Sequence, residues 1–114
     1  MVENYAQQLL DDFEERDDLQ NVSLTNAVDG TTVKNVRARC AKISFMLAQI
    51  ASQTLALEPT DQLWMLGAAS LDGVVPDRGD LITTANGTIW TILWLKAYSF
   101  GDTVVYWDCV GRKQ

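Results

Sequence analysis

The chain contains no histidine. A Ser-His or Cys-His nucleophile pair therefore cannot be assembled, which removes the commonest routes to covalent catalysis. Cysteine is nearly as scarce, with Cys40 and Cys109 the two copies. Without histidine to complete four ligands they do not make a zinc site. A cytosolic setting disfavours a disulfide, so both read as small buried hydrophobes. No run approaches the roughly 18–20 apolar residues that a membrane span needs. The opening Met1-Val-Glu-Asn-Tyr lacks the basic and apolar regions of a signal peptide. The expectation is a protein that is soluble and intracellular when made. Neither G-x-x-x-x-G-K-[ST] nor G-x-G-x-x-G occurs, so no phosphate-cradling loop is signalled.

What is present suits one small folded domain: 114 residues, 47% of them hydrophobic. All four tryptophans, Trp64, Trp90, Trp94 and Trp107, lie in the C-terminal half. The net charge of −6 is concentrated. Residues 1–20 carry seven acids against Arg16 alone, whereas the remainder carries eight acids and eight bases. Phosphate affinity needs a net basic face, and outside the acidic first 20 residues the charges only balance, so sequence-specific nucleic-acid recognition is not expected.

Residues 3–19 read as a helix, with Tyr5, Leu9 and Phe13 recurring every four residues and Ala6 and Leu10 widening the stripe. Acids crowd its C-terminal end against the helix dipole, so that end should fray or find a cationic partner. From Val22 the period changes to two. Asp29-Gly30 is a turn, and a strand resumes at Thr31 and runs to Cys40, with a bulge expected at Asn35. Residues 43–57 carry a short helix, Phe45 to Ala51, capped by Ser44. Further strands follow at Leu63–Gly67, Asp80–Thr84, Thr88–Lys96 and Thr103–Val110. The turns between them run from Asp72-Gly73 to Gly79, at Asn86-Gly87, read as type I′, and at Ser99-Phe-Gly-Asp.

The fold class is therefore mainly β (α+β): a small antiparallel β-barrel with an N-terminal helix and a short helical insertion. Residues 1–20 form the acidic helix, and 21–114 form one barrel domain with the insertion near 43–60. In Thr88–Lys96 strict alternation puts Trp90, Ile92 and Trp94 on one face and Ile89, Leu93 and Leu95 on the other. A small barrel needs only its inner face apolar. The outer face must be covered by the N-terminal helix, by residues 43–57 or by another protein.

No catalytic, metal or cofactor-binding residues are indicated. Asp77 with Asp80, and Asp102 with Asp108, are carboxylate pairs, but the first lies in a Gly/Pro turn where Asp binds local backbone N–H groups. The basic row Lys34, Arg37, Arg39 and Lys42 has no interleaved aromatics for single-strand recognition, and pairing with acids of the same chain or a neighbour is the nearer reading. The residues expected at a protein interface are Asp11, Asp12, Glu14 and Glu15 on the acidic helix, Arg37 and Arg39 on the strand, and the anchors Trp90 and Trp94.

The segments Val36-Arg-Ala-Arg, Pro59-Thr-Asp-Gln-Leu-Trp-Met-Leu, Ala68-Ala-Ser-Leu, Pro76-Asp-Arg-Gly-Asp-Leu-Ile, Gly87-Thr-Ile-Trp-Thr-Ile-Leu and Trp107-Asp-Cys-Val follow one another between about Thr31 and Val110. In order and spacing this stretch resembles small phage head–tail joining, or head-closure, neck proteins. The resemblance implies a ring-forming structural subunit of the virion neck, made in a host cytoplasm. Its partners would be a portal or adaptor ring and tail proteins, with the isolated subunit compatible with a monomer. A prophage or tail-like particle fits equally. A tail-side small-barrel adaptor or tail-completion subunit, or a generic protein-interaction barrel, are the alternatives.

Overall fold

The computed structural model describes residues 5–114, with the side chain of Glu14 outside the described part. It contains helix α1 (Tyr5–Glu14), strands β1 (Gln20–Thr25) and β2 (Thr32–Ala41), helix α2 (Phe45–Ala51), and strands β3 (Gln62–Gly67), β4 (Leu81–Thr83), β5 (Ile89–Phe100) and β6 (Thr103–Lys113). A 3₁₀ turn, Ala69–Leu71, follows β3. The strands close into an antiparallel barrel in the order β1-β2-β3-β6-β5-β4. The small antiparallel barrel with two short helices is thus the fold.

Alternation fills the interior. Val22 and Leu24, Val36 and Ala38, Trp64 and Leu66, Ile82, Ile92 and Cys109 form one buried cluster, joined by Leu71 from the 3₁₀ turn. Bulges break the strand register at three places, the last beside the β5–β6 turn, where Val105 is the extra residue between Tyr106 and Val104. In β2, Val36 pairs with Val22 and Val33 with Leu24, so Lys34 and Asn35 together oppose Ser23. Asn35 takes φ 60°, a left-handed conformation that asparagine tolerates better than most residues. The bulge therefore falls where the sequence places it.

The second break corrects the strict alternation of Thr88–Lys96. Ile92 pairs with Gly111 and Trp94 with Val110, leaving Leu93 as the extra residue. Every side chain beyond it changes face. Trp90 and Ile92 point into the interior cluster, which Leu95 then rejoins. Trp94 turns outward, onto Ala51 and Val110 beneath α2.

Three further expectations are revised. Helix α1 ends at Glu14 rather than residue 19, and its expected start at residue 3 lies outside the described residues. The acids that oppose its dipole fall in and beyond its last turn, where Asp18 bonds Arg16 at 3.0 Å and Arg39 at 2.8 Å. At Asn86-Gly87 the turn is not type I′, because Asn86 does not adopt positive φ. Gly87 N–H closes back on the Thr84 carbonyl at 2.9 Å, and Gly87 alone takes the left-handed φ of 88°, a three-residue loop. Cys109 is buried as expected, but Cys40 is exposed. Its strand face is interior, opposite Trp64, yet it stands at the open mouth of the barrel.

The outer face is clothed by the chain itself. Phe13, Leu9 and Leu19 cover Met65, Leu63, Val105 and Tyr106 on β3 and β6. Ile43, Leu47, Ala51, Leu55 and Leu57 cover Trp94 and Val110. Ser44 caps α2 as expected, its Oγ accepting the Leu47 N–H at 3.2 Å.

One contact inside the barrel is too close for a side chain. A Cβ on Gly111 would meet Trp64 Cδ1 at 2.9 Å. Gly111→Ala is expected to destabilise by ~1–3 kcal/mol by overpacking. Gly87→Val, in open space but at positive φ, is expected to cost about 1–2 kcal/mol through backbone strain alone. Urea unfolding of both variants checks this, and an unchanged midpoint for Gly111→Ala would contradict the Trp64 placement.

Candidate interaction surface

Buried acids are the first place to look for chemistry, and each has a structural partner. Asp80, 2% exposed, accepts the Ala27 N–H on Oδ1 at 3.0 Å and the Asp77 N–H on Oδ2 at 2.9 Å. Asp77 accepts the Arg78 N–H at 2.8 Å. The Asp77/Asp80 turn therefore binds backbone, as the sequence suggests, and it additionally ties the β1–β2 turn to a loop far away in the chain. Asp102 and Asp108 are not brought together: Asp102 lies in the β5–β6 turn, whereas Asp108 lies opposite Lys96. Burial pushes the Asp108 carboxyl above its usual range, an effect that Lys96 opposes.

Asp61, 5% exposed, is the second buried acid, and sequence inspection had no reason to single it out. Arg112 from β6 grips it with two bonds, Nε to Oδ1 at 2.9 Å and Nη2 to Oδ2 at 2.8 Å. The same guanidinium donates to the Ala56 carbonyl at 2.8 Å and pairs with Glu58 at 2.8 Å, and the Glu58 N–H donates to Asp61. This knot anchors the loop after α2 to the barrel. The hydrogen bonds and charge of Arg112 hold the Asp61 carboxyl below the usual carboxylate range.

The barrel mouth holds a cavity of about 430 Å³ lined by Trp64, Trp90, Cys40, Asn86 and Lys113 among others. No carboxylate appears among the described residues of its wall, and burial pushes the Cys40 thiol up, away from the nucleophilic thiolate. Trp64 lies edge to face with Trp90, 5.6 Å between centroids, and its buried indole N–H has no hydrogen-bond partner. The described residues include no cluster of three or more metal-ligating side chains. No helix among them is long and apolar enough to cross a membrane.

The expected interface residues scatter. Asp11, Asp12 and Glu15 are exposed on or just beyond α1, and the Glu14 side chain lies outside the described part. Arg37 and Arg39 face their own chain: Arg37 bonds Asn21 at 3.0 Å, and Arg39 pairs with Asp18 at 2.8 Å. Own-chain pairing of this row is therefore correct for Arg39, although the acid it finds is Asp18 rather than one on α1. Arg16 and then Arg39 hold Asp18 below the usual carboxylate value. Trp94 is buried under α2 and cannot serve as an exposed anchor, and Trp90 is half-buried at the mouth. Neither lies beneath α1.

Two apolar surfaces were missed. On α2, Phe45 and Met46 are 76% and 74% exposed, and Ile50 is 42% exposed. Beside α1, Phe13, Tyr106 and Tyr98 stack in series, with centroid separations of 5.2 and 4.7 Å, while Tyr5 meets Phe100 at 4.8 Å. Residues 43–57 contain no charge at all, and that was the readable signal for the first. The second depends on register between distant elements. Compared with known protein families and with curated proteins, the chain matches none.

Asp61 and Asp108 are shifted in opposite directions. Asp61 is depressed in the fold, so its contribution is complete above the unfolded carboxylate pKa of about 3.9 and is lost as pH falls through the lower folded value. Asp108 is raised, so it costs stability at neutral pH and that cost is relieved on mild acidification. Asp108→Asn is accordingly expected to raise the neutral-pH melting temperature. Arg112→Met, which leaves Asp61 unpaired, is expected to cost on the order of 3 kcal/mol. Unfolding curves between pH 3 and 7, a range of about four units around the carboxylate values, read both effects. An Arg112→Met protein as stable as the parent would contradict the anchoring role.

Proposed function

We propose that the chain is a structural subunit of a phage or prophage head–tail connector, a neck protein that joins portal or adaptor to tail and closes the packaged head. The observation that carries this reading is how the buried polar groups and the helices are used. Asp80 and Asp61 are consumed by backbone N–H groups and one arginine. The inner faces of α1 and α2 are consumed in clothing the barrel. What remains outward is apolar and aromatic surface with acids beside it, the material of protein contacts.

The sequence resemblance supports the same reading, because its Pro-x-x-Gly-Asp-x-Ile segment supplies a structural element. Asp80 and Gly79 in that segment bond Ala27 and Ile92, joining the turn to the barrel wall. Such a part works by position in an assembly, where two unlike surfaces of each subunit meet its neighbours.

Disrupting the gene in its phage or prophage tests the reading. DNA-filled heads and finished tails should accumulate unjoined, and supplying the protein in trans should restore joined particles. Normal particles would overturn it, and aberrant tails on closed heads would move the protein to the tail side.

A further inference from the structure

The two apolar surfaces differ in shape. Between α1 and the β5–β6 hairpin runs a groove of about 380 Å³, lined by Leu9, Phe13, Tyr98 and Tyr106 with Asp12 at its edge. Tyr98 is 51% exposed and forms the outer end of the aromatic stack. Arg16 also borders the groove, but its guanidinium is turned to Asp18 at 3.0 Å, which leaves the Asp12 carboxylate as the uncompensated charge at the rim. The groove is thus aromatic within and acidic at the rim.

The other surface projects. Phe45, Met46 and Ile50 stand out from α2, within fifteen residues, 43–57, that carry no charge, and Lys42 directly precedes them. Leu47 and Ala51 on the same helix are packed against Trp94 and Val110. With its inner face held there, α2 cannot turn Phe45 into the groove of its own chain.

We infer that the groove receives the Phe45–Met46 edge of α2 from a second copy of this chain. Each copy then offers one projection and one recess, so the contact is head-to-tail and either closes a ring or extends a filament. Charge favours this occupant, since Lys42 beside the projection can meet Asp12 at the rim of the recess, where Arg16 is already held by Asp18. The inference rests on the assembly reading for its biological use, but not for its chemistry, which uses faces of this chain alone.

The test is sedimentation velocity on the full-length chain over a wide concentration range, at low and high salt. Wild type is expected to self-associate progressively, more weakly as salt rises. Phe45→Asp removes the projection and Tyr98→Ser removes part of the recess. Each should weaken self-association about tenfold or more, since burying one aromatic side chain contributes that much. Phe45 is exposed, so the melting temperature of Phe45→Asp should match wild type. Asp12→Lys gives a second reading of the groove through a surface residue.

The deciding sample is an equal mixture of Phe45→Asp and Tyr98→Ser. One intact projection and one intact recess remain, so dimers should form and grow no further. A wild type that stays monomeric throughout, a Phe45→Asp protein that associates normally, or a mixture that stays monomeric would each overturn the inference. A chain that associates as described yet is absent from particles would contradict the neck reading and leave the contact standing.

Discussion

The barrel closes through its shortest strand, and one carboxylate holds that closure. Strand β4 has three residues to bridge β1 and β5. A strand so short supplies few ladder bonds of its own. Asp80, immediately before it, reaches across to the Ala27 N–H with one oxygen and back to the Asp77 N–H with the other. Its backbone carbonyl accepts the Ile92 N–H at 2.9 Å, and the neighbouring Gly79 N–H donates to the Ile92 carbonyl at 2.8 Å. One residue thereby ties the β1–β2 turn, the 74–80 loop and strand β5 together. A buried carboxylate so placed cannot be lost without leaving two donors unpaired, each costing about 1–3 kcal/mol.

Closure leaves a second problem, the apolar outer wall, and the bulge at Leu93 decides how it is solved. By reversing the faces of β5 it sends Leu95 inward and presents Trp94 to the outside, where α2 and the flanking residues Ile43, Leu55 and Leu57 bury it. The Arg112–Asp61–Glu58 knot then holds the segment after α2 in place. Helix α1 performs the same service for Met65 and Tyr106. Two amphipathic pieces spend their inner faces on the barrel, and their outer sides remain available. That division of labour is the observation on which the proposed assembly role rests.

Much of this was legible in local sequence. Period-two runs located the strands, Ser44 located α2, and poor alternation at Asn35 located a bulge, because each signal acts within a few residues. The Leu93 bulge was not legible. Its immediate neighbours, Ile92, Trp94 and Leu95, are all apolar, so strict alternation groups Trp94 with Trp90; the one trace of the change of face is that Thr91 and Lys96, both on the outer side, stand an odd number of residues apart. The same holds for Asp61, whose meaning depends on an arginine in the last strand. Among the expected interface residues, Asp11, Asp12 and Glu15 are exposed, because a carboxylate outside a buried ion pair stays in water, and Asp11 takes only the Gln7 amide at 3.0 Å. Arg39 was drawn instead to Asp18, in a turn that appeared only because the helix ended early.

Amide hydrogen exchange on Asp80→Asn tests the central claim most directly. Asparagine keeps the shape but turns one acceptor into a donor facing an N–H. The account predicts that protection falls first at Ala27, Asp77, Ile92 and the β4 amides, while the β3–β6 ladder keeps its native protection. Native protection at those amides, or an even loss over the whole barrel, would contradict a closure held by Asp80.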